Sequence, residues 1–163
     1  MTYVFVDPSG DFEKGKGHTG IACMQDDDWN SLEISSIYAG SFRTRHDYWK
    51  AIIDKVTSYE RTDNLRVIIE SFVIRSNGFL IGKMPETIQL IGALVYQLEE
   101  LGIQYSFQSP SQAKSRFKDE LLPDYIPDLE RRSNGFYYLK GKIINDHVRD
   151  ALKHLLFYKR YSM

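Results

Sequence analysis

The order of apolar patterns along this 163-residue chain constrains its fold more than any other feature. Three short β-type runs come first, and two more follow, each after a segment with helical spacing. A strand that is reached through a helix usually lies parallel to the strand it joins. The order therefore predicts an α/β fold in which a mixed five-stranded sheet is flanked by helices.

The first three β-type runs are joined by turn-forming segments. They are Tyr3–Val6, Thr19–Met24 and Ile34–Phe42. The first run ends at Asp7-Pro8-Ser9-Gly10, four residues that favour turns. Runs joined in this way are typical of an antiparallel meander, so we predict that these three strands are antiparallel.

Helical spacing starts after His46, and helices then alternate with strands. We predict a helix from His46 to about Tyr59, a strand at 66–70, a helix at 85–101, a strand at 104–107, a helix from Ser109 toward Leu121, and a last helix capped by Asn145 that ends near Tyr158. Residues 123–141 are interrupted by prolines and by Asn134-Gly135, so we predict that they are mostly loop.

Composition excludes several classes of protein. Cys23 is the only cysteine, which rules out an intrachain disulfide and a multi-cysteine zinc site. No run approaches the roughly 18 apolar residues that span a bilayer, and the first residues lack the pattern of a signal peptide. We therefore expect one folded domain over residues 1–163, located in the cytoplasm and without membrane contact.

Charge is unevenly distributed along the chain, although the net charge is only −1. Residues 1–63 carry seven Lys and Arg against eleven Asp and Glu, whereas residues 64–163 carry fourteen against eleven. The C-terminal part thus has enough positive charge for a nucleic-acid-binding surface. A sequence pI near 6.4 argues against binding that is purely electrostatic.

Acidic residues follow two strands that we expect to be neighbours. Asp7 and Glu70 stand at the carboxyl ends of the first and fourth strands. Neighbouring parallel strands end at the same edge of a sheet, so these two carboxylates would converge. The first turn of the last helix adds Asp146, His147 and Asp150. Oxygen ligands with one imidazole suit Mg²⁺ or Mn²⁺ rather than zinc.

Each of these residues also has an ordinary structural interpretation. Asp7 before Pro-Ser-Gly is a common turn former, and Glu70 at a strand end is often a solvated carboxylate. Lys114 and Arg116 fit a solvated helix face. His147 lies near a helix start, where a protonated imidazole is mildly unfavourable, and this placement favours a functional role.

Four motifs together resemble RuvC-type Holliday junction resolvases of the RNase H-like superfamily, particularly the compact forms found in bacteriophages. The motifs are Val4-Phe5-Val6-Asp7-Pro8-Ser9-Gly10, Val67-Ile68-Ile69-Glu70, Ser109-Pro110-Ser111-Gln112-Ala113-Lys114, and Asn145-Asp146-His147-Val148-Arg149-Asp150-Ala151-Leu152. Their order and spacing span nearly the whole chain. The loop between Gly10 and Thr19 is longer than the usual tight hairpin, and residues 123–141 match no motif of the family.

The resemblance implies a site of four ligands, Asp7, Glu70, His147 and Asp150, that holds two Mg²⁺ or Mn²⁺ ions. Asp146 is the alternative to His147 as the helix ligand, and a helical wheel places His147 nearer the sheet. The implied activity is cleavage of four-way DNA junctions in recombination and repair, which leaves 5′-phosphate and 3′-hydroxyl ends. The implied location is the cytoplasm of a bacterium, or of a bacterium infected by phage.

DNA contacts are expected on two segments. Ser71–Met84 follows Glu70 and contains Phe72, Arg75, Phe79 and Lys83, so it has the aromatic and basic residues that unstack bases at a junction. We expect Phe79 to act as the probe and Phe72 to pack in the core. The resemblance makes Lys114 a phosphate contact, and Arg116 follows it on the same segment.

Three other functions are compatible with parts of this sequence. An RNase H-like nuclease that cuts duplex DNA or an RNA–DNA hybrid would use the same metal chemistry. A sugar-kinase or actin-like protein also begins with a strand and Asp-x-Gly, but that fold needs two such halves. A non-catalytic DNA-binding adaptor is the last alternative, and the intact acidic set argues against it.

The helix at 85–101 suggests a homodimer. Its apolar residues cover roughly 160° of arc, more than the stripe of about 100° that one core face needs. They are Ile88, Leu90, Ile91, Leu94, Val95, Leu98 and Leu101. The surplus would be buried either against the third helix or in a dimer interface, and a dimer would match the approximate two-fold symmetry of a four-way junction.

Overall fold

A computed structural model describes residues 1–13, 15–61, 64–72 and 85–161. The strands are β1 (Thr2–Asp7), β2 (His18–Gln25), β3 (Glu33–Tyr38), β4 (Leu65–Glu70), β5 (Gln104–Gln108), β6 (Leu129–Arg131), β7 (Tyr137–Leu139) and β8 (Lys142–Ile144). The α-helices are α1 (Arg45–Thr57), α2 (Glu86–Glu100), α3 (Pro110–Lys114), α4 (Leu122–Tyr125) and α5 (Asp146–Tyr161).

The main sheet has five strands in the order β3-β2-β1-β4-β5. The β1–β2 and β2–β3 pairs are antiparallel, whereas β1–β4 and β4–β5 are parallel. The predicted mixed sheet is therefore confirmed. Val6 pairs with Ile69, so Asp7 and Glu70, the next residue of each strand, end the strands side by side.

The two faces of the main sheet carry separate hydrophobic cores, because side chains alternate along each strand. Val4 and Val6 point to the face covered by α1 and α2, where Val56 and Leu94 join them. Phe5 points to the other face and packs in the same core as residues of α5. The last helix therefore lies against the face opposite α1 and α2.

Helix ends follow the signals read from the sequence. The Thr44 side chain accepts from the backbone N–H of Asp47 at the start of α1, and Asn145 accepts from that of Val148 at the start of α5. Gly102 follows α2 with a φ of +67°, a conformation that glycine adopts at little cost. Among the described residues, no helix is long and apolar enough to cross a bilayer.

Three predicted boundaries are wrong. The strand expected to reach Phe42 ends at Tyr38, where a 3₁₀ turn at Ala39–Ser41 begins. The helix expected to run toward Leu121 ends at Lys114; the Ser115 hydroxyl bonds back to the carbonyl of Ser111, and serine side chains that bond to nearby backbone weaken helices. The last helix continues past Tyr158 to Tyr161.

Residues 123–141 were predicted to be mostly loop, and ten of these nineteen residues lie outside helices and strands, but the other nine form short elements that the prediction missed. They contribute to α4 and to a second sheet with the order β6-β7-β8. Each strand of this sheet has only three residues, which is too short for alternation to be visible in the sequence. Leu129, Tyr137 and Leu139 from this segment are buried in the core that also contains α5.

Candidate active site

Asp7 ends β1 at a point where the last helix comes unusually close to the sheet. It is 5% exposed and pairs in register with Gly20 of β2. A Cβ on Gly20 would lie 2.2 Å from the carbonyl carbon and oxygen of His147, a distance that no side chain tolerates. The missing side chain at Gly20 therefore lets the first turn of α5 lie beside Asp7.

His147 contacts Asp7 directly. Its Nδ1 lies 2.7 Å from Oδ2 of Asp7. The hydrogen bond that the His147 ring donates to the Asp7 carboxylate raises the pKa of His147, although partial burial opposes this. Burial, reinforced by the charge of Glu70, raises the pKa of Asp7 in spite of the contact with His147. Both shifts favour a proton held between the ring and the carboxylate.

Glu70 ends β4 and is held by a histidine that the sequence reading did not identify. Nε2 of His154 lies 2.6 Å from Oε2 of Glu70, and Nδ1 of the same ring contacts Oε1 of Gln108. Burial acts to raise the pKa of Glu70, but His154 and Lys114 outweigh it and the pKa is lowered. The signal was present in the sequence, since His154 is seven residues from His147 and so shares its helix face.

Lys114 was predicted to contact DNA, and the structure places its ammonium among the carboxylates. Nζ lies 2.7 Å from Oδ2 of Asp150, 3.0 Å from Oε1 of Glu70 and 4.0 Å from Oδ1 of Asp7. Burial would lower the pKa of Lys114, but the three carboxylates together raise it. The amine is therefore a fixed positive charge at the centre of the site.

Asp150 is held by two lysines, one on each oxygen. Oδ2 contacts Lys114, and Oδ1 lies 2.8 Å from Nζ of Lys153. Lys153 is buried and also forms an ion pair of 2.5 Å with Asp119, which Arg149 contacts as well. Lys114 and Lys153 lower the pKa of Asp150 and outweigh the opposite effect of burial. The sequence reading missed Lys153 and Asp119, which become neighbours only in the folded chain.

Asp146, the alternative helix ligand, lies outside this cluster. It is exposed, and its Oδ1 accepts a hydrogen bond of 3.2 Å from the backbone N–H of His147. The structure thus brings Asp7, Glu70 and Asp150 around Lys114 and places His147 against Asp7, with Asp146 on the solvent side.

A column of rings leads from His147 to the edge of the sheet. His18 stacks on Tyr38 at 4.4 Å and lies nearly parallel to His147 at 6.1 Å. The side-chain amide of Asn145 joins His18 to Ser36 on the edge strand. Burial, helped by the neighbouring His147, lowers the pKa of His18.

The other predicted DNA contacts lie at the surface or outside the described residues. Phe72 is 44% exposed, so the expectation that it packs in the core is wrong; it lies two residues beyond the end of β4. Arg116 is exposed and donates a hydrogen bond of 3.2 Å to the Tyr161 hydroxyl. Three further candidates lie outside the described residues, namely Arg75, Phe79 and Lys83.

The carboxylate and imidazole groups of this site are of the kinds that bind divalent cations. Three carboxylates and one imidazole converge, and they already surround a positive charge, the Lys114 ammonium. Among the described residues, no three His, Cys, Asp or Glu side chains are arranged to hold a metal ion around one point as they stand. Hard oxygen ligands of this kind are those that Mg²⁺ and Mn²⁺ prefer. The residues therefore fit such ions, provided that the Lys114 ammonium leaves the carboxylate oxygens.

Comparison with known proteins identifies the fold. A solved structure of T. thermophilus RuvC in complex with a Holliday junction substrate matches with a TM-score of 0.61 and 15% identity, over 99% of this chain and 96% of that chain. A structure of Thermus thermophilus RuvC matches with a TM-score of 0.53 and 18% identity, over 98% and 96%. No protein-family model and no curated protein matches the chain. The chain has the RNase H-like fold of RuvC, as the sequence resemblance predicted.

Proposed function

We propose that this protein is a divalent-metal-dependent endonuclease that resolves four-way DNA junctions. The observation that carries the proposal is the convergence of Asp7, Glu70, His147 and Asp150 at the carboxyl end of β1 and β4. The RuvC fold supports it, because one matching RuvC structure is a complex with a Holliday junction.

In this proposal the four residues hold two Mg²⁺ or Mn²⁺ ions. Asp7, at the end of a strand, would be shared between them, Glu70 would serve one ion, and Asp150 with His147 would serve the other. Bound there, such ions would supply activation of a water molecule and charge stabilisation of the leaving 3′-oxygen of a phosphodiester, so that cleavage would leave 5′-phosphate and 3′-hydroxyl ends. The protein's own contribution is to fix the carboxylates and to exclude bulk water from Asp7.

Lys114 has two successive roles in this proposal. Its ammonium offsets the negative charge of the clustered carboxylates. A divalent cation would compete for the same oxygens, and repulsion between the two cations would displace the ammonium. Lys114 then turns toward the DNA, where it contacts a phosphate. Its side chain is one-third exposed, so the ammonium has a route out of the cluster.

DNA binding is proposed for residues around this edge of the sheet. Phe72 is exposed beyond Glu70, and Arg116 is exposed near Lys114. Together with Arg75, Phe79 and Lys83, they would contact the arms and the exchange point of the junction. We place this activity in the cytoplasm of a bacterium or of a phage-infected bacterium.

We also propose that the active species is a homodimer. Packing against the third helix was the alternative to a dimer, but the main helix and strand contacts of α2 are with α1 and β5, whereas α3 packs against α5. Leu90, Leu94 and Leu98 are fully buried, but Leu101 remains 38% exposed at the end of α2. Sedimentation at micromolar concentration, with and without a junction, tests the dimer. A monomer under both conditions refutes it.

The substrate is tested by offering labelled four-way junction, duplex, flap and RNA–DNA hybrid to the purified chain. Each substrate is incubated with Mg²⁺, with Mn²⁺ and with a chelator. The proposal expects metal-dependent cleavage of the junction well above that of the other substrates. Equal or stronger cleavage of duplex or hybrid would replace the resolvase with a general RNase H-like nuclease, and metal-independent binding without cleavage would indicate an adaptor.

A further inference from the structure

His154 is a fully buried polar residue on the core face of α5. It is 1% exposed, and its neighbours on that face, Ala151 and Leu155, are 0% exposed. Placing an imidazole in an apolar core is unfavourable unless both nitrogens are hydrogen-bonded. A leucine at this position would satisfy the pattern of the helix, so the histidine needs another reason.

Both nitrogens of this ring have partners, and both partners lie at strand ends. Nε2 lies 2.6 Å from Oε2 of Glu70, and Nδ1 contacts the side chain of Gln108. Glu70 and Gln108 are paired in register on β4 and β5. With Nε2 as the donor to the carboxylate, Gln108 holds the ring from the other side. The ring therefore links the side chains of Glu70 and Gln108 at the ends of two neighbouring strands.

We propose that His154 is a positioning residue that fixes the carboxylate of Glu70 for metal binding. The contact holds Oε2 on one side of the carboxylate, and both Oε1 and Oε2 lie 3.0 Å from Nζ of Lys114, which also contacts Asp150. This inference rests on the proposed function, in which Glu70 is a metal ligand. Carboxylate ligands are commonly oriented by a hydrogen-bonded partner, and loss of that partner weakens metal binding.

His154 does not itself reach the centre of the site. It lies two helical turns beyond His147, about 10 Å along the axis, and the Glu70 carboxylate stands between it and Lys114. Its side chain is also closed to solvent. Its effect on metal binding is therefore exerted through Glu70 alone.

The test compares two substitutions that keep or remove the donor. His154→Leu removes it and suits the surrounding core, whereas His154→Gln keeps an N–H near the position of Nε2. We expect His154→Leu to weaken Mn²⁺ binding by about 10–100-fold in calorimetry of the full chain. His154→Gln should recover most of that loss. Affinity for a four-way junction in chelator should be unchanged in both.

Leu156→Ala is the matched control for loss of stability. Leu156 is buried in the hydrophobic core on the same helix, and its side chain has no group that forms hydrogen bonds. This variant should lower the unfolding midpoint and leave Mn²⁺ affinity at the wild-type value. Wild-type Mn²⁺ affinity in His154→Leu, or equal weakening in Leu156→Ala, overturns the role of His154.

The outcome is separable from the test of the proposed function. Metal binding is measured without DNA, so a wild-type chain that binds Mn²⁺ but cuts no junction refutes the resolvase and leaves the role of His154 to be decided by the variants. A wild-type chain that cuts junctions while His154→Leu binds Mn²⁺ normally refutes the positioning role alone.

Discussion

Helix α5 presents two histidines to two carboxylates, and the pairs differ in environment rather than in chemistry. His147 lies 2.7 Å from Asp7, and His154 lies 2.6 Å from Glu70. The side chain of His147 is 32% exposed, whereas that of His154 is 1% exposed. The pKa of Asp7 is raised, chiefly by burial, whereas that of Glu70 is lowered because His154 and Lys114 outweigh burial.

The comparison shows how one pairing can serve two purposes. An imidazole at the solvent edge can exchange its partner for a metal ion, because water and ions reach it. An imidazole sealed in the core keeps its partner and can only orient it. The pair with the partly exposed imidazole is therefore suited to bind a metal ion, and the pair with the buried imidazole is suited to hold a carboxylate in place.

The largest expected effect is the loss of cleavage in Asp7→Asn and in Glu70→Gln. Each change removes the negative charge of one proposed metal ligand. We expect junction cleavage to fall by more than about 100-fold, a larger loss than is typical when a residue that only orients a ligand is removed. Junction binding should be unchanged or tighter, because a negative charge that faces the phosphates is gone. Cleavage assays and filter binding measure the two quantities. Substantial Mg²⁺-dependent cleavage by both variants would refute the site.

The second prediction concerns the close approach that creates the Asp7–His147 pair. Gly20→Ala places a methyl group against the backbone of His147, so α5 must shift, at a cost of about 3 kcal/mol in the free energy of unfolding. Gly92→Ala is the control, because no atom lies within 4 Å of its added Cβ in α2. We expect this control to stabilise the protein by roughly 0.5–1 kcal/mol. Urea unfolding measures both, and equal effects would show that the approach at Gly20 is relaxed.

Much of this arrangement was predictable from the sequence, because it follows from the ends of regular elements. The apolar runs before Asp7 and Glu70 fixed both strands, and the parallel pairing of β1 with β4 brought their ends together. The cap at Asn145 placed the first turn of α5. These signals are local, and simple topology rules connect them.

The supporting residues could not be predicted in the same way. His154 stands within an apolar stripe, and only the register of β4 with β5 shows that it meets Glu70 and Gln108. Lys114 has an ordinary place at the end of a helix until three carboxylates surround it. The three-residue strands of the second sheet are stabilised by burial against distant segments rather than by their own pattern.

A smaller effect is expected from the ligand on α5. His147→Ala removes the exposed member of the first pair, and we expect junction cleavage to fall by about 10–100-fold. Asp146→Asn should change it by less than about threefold, because Asp146 faces solvent and, among the described residues, its carboxylate bonds only to the backbone N–H of His147. Parallel cleavage assays at saturating Mn²⁺ compare them. If Asp146→Asn is the damaging change, the assignment of the helix ligand reverses.

The smallest expected effect is a difference between Asp7 and Glu70 in how each contributes to the stability of the metal-free protein. Because burial raises the pKa of Asp7 above 3.8, ionised Asp7 opposes folding, and this penalty appears as the pH rises through and beyond that value. The pKa of Glu70 is below 4.5, so its contribution is present above that value and is lost as the pH falls through the folded-state pKa.

In chelator at pH 7, we therefore expect Asp7→Asn to stabilise the protein and Glu70→Gln to destabilise it, each by on the order of 1 kcal/mol. Urea unfolding at pH 7 and near pH 3 measures both variants, and the two differences from wild type should shrink at the lower pH. Changes of the same sign at pH 7 would show that the two histidine–carboxylate pairs are energetically alike.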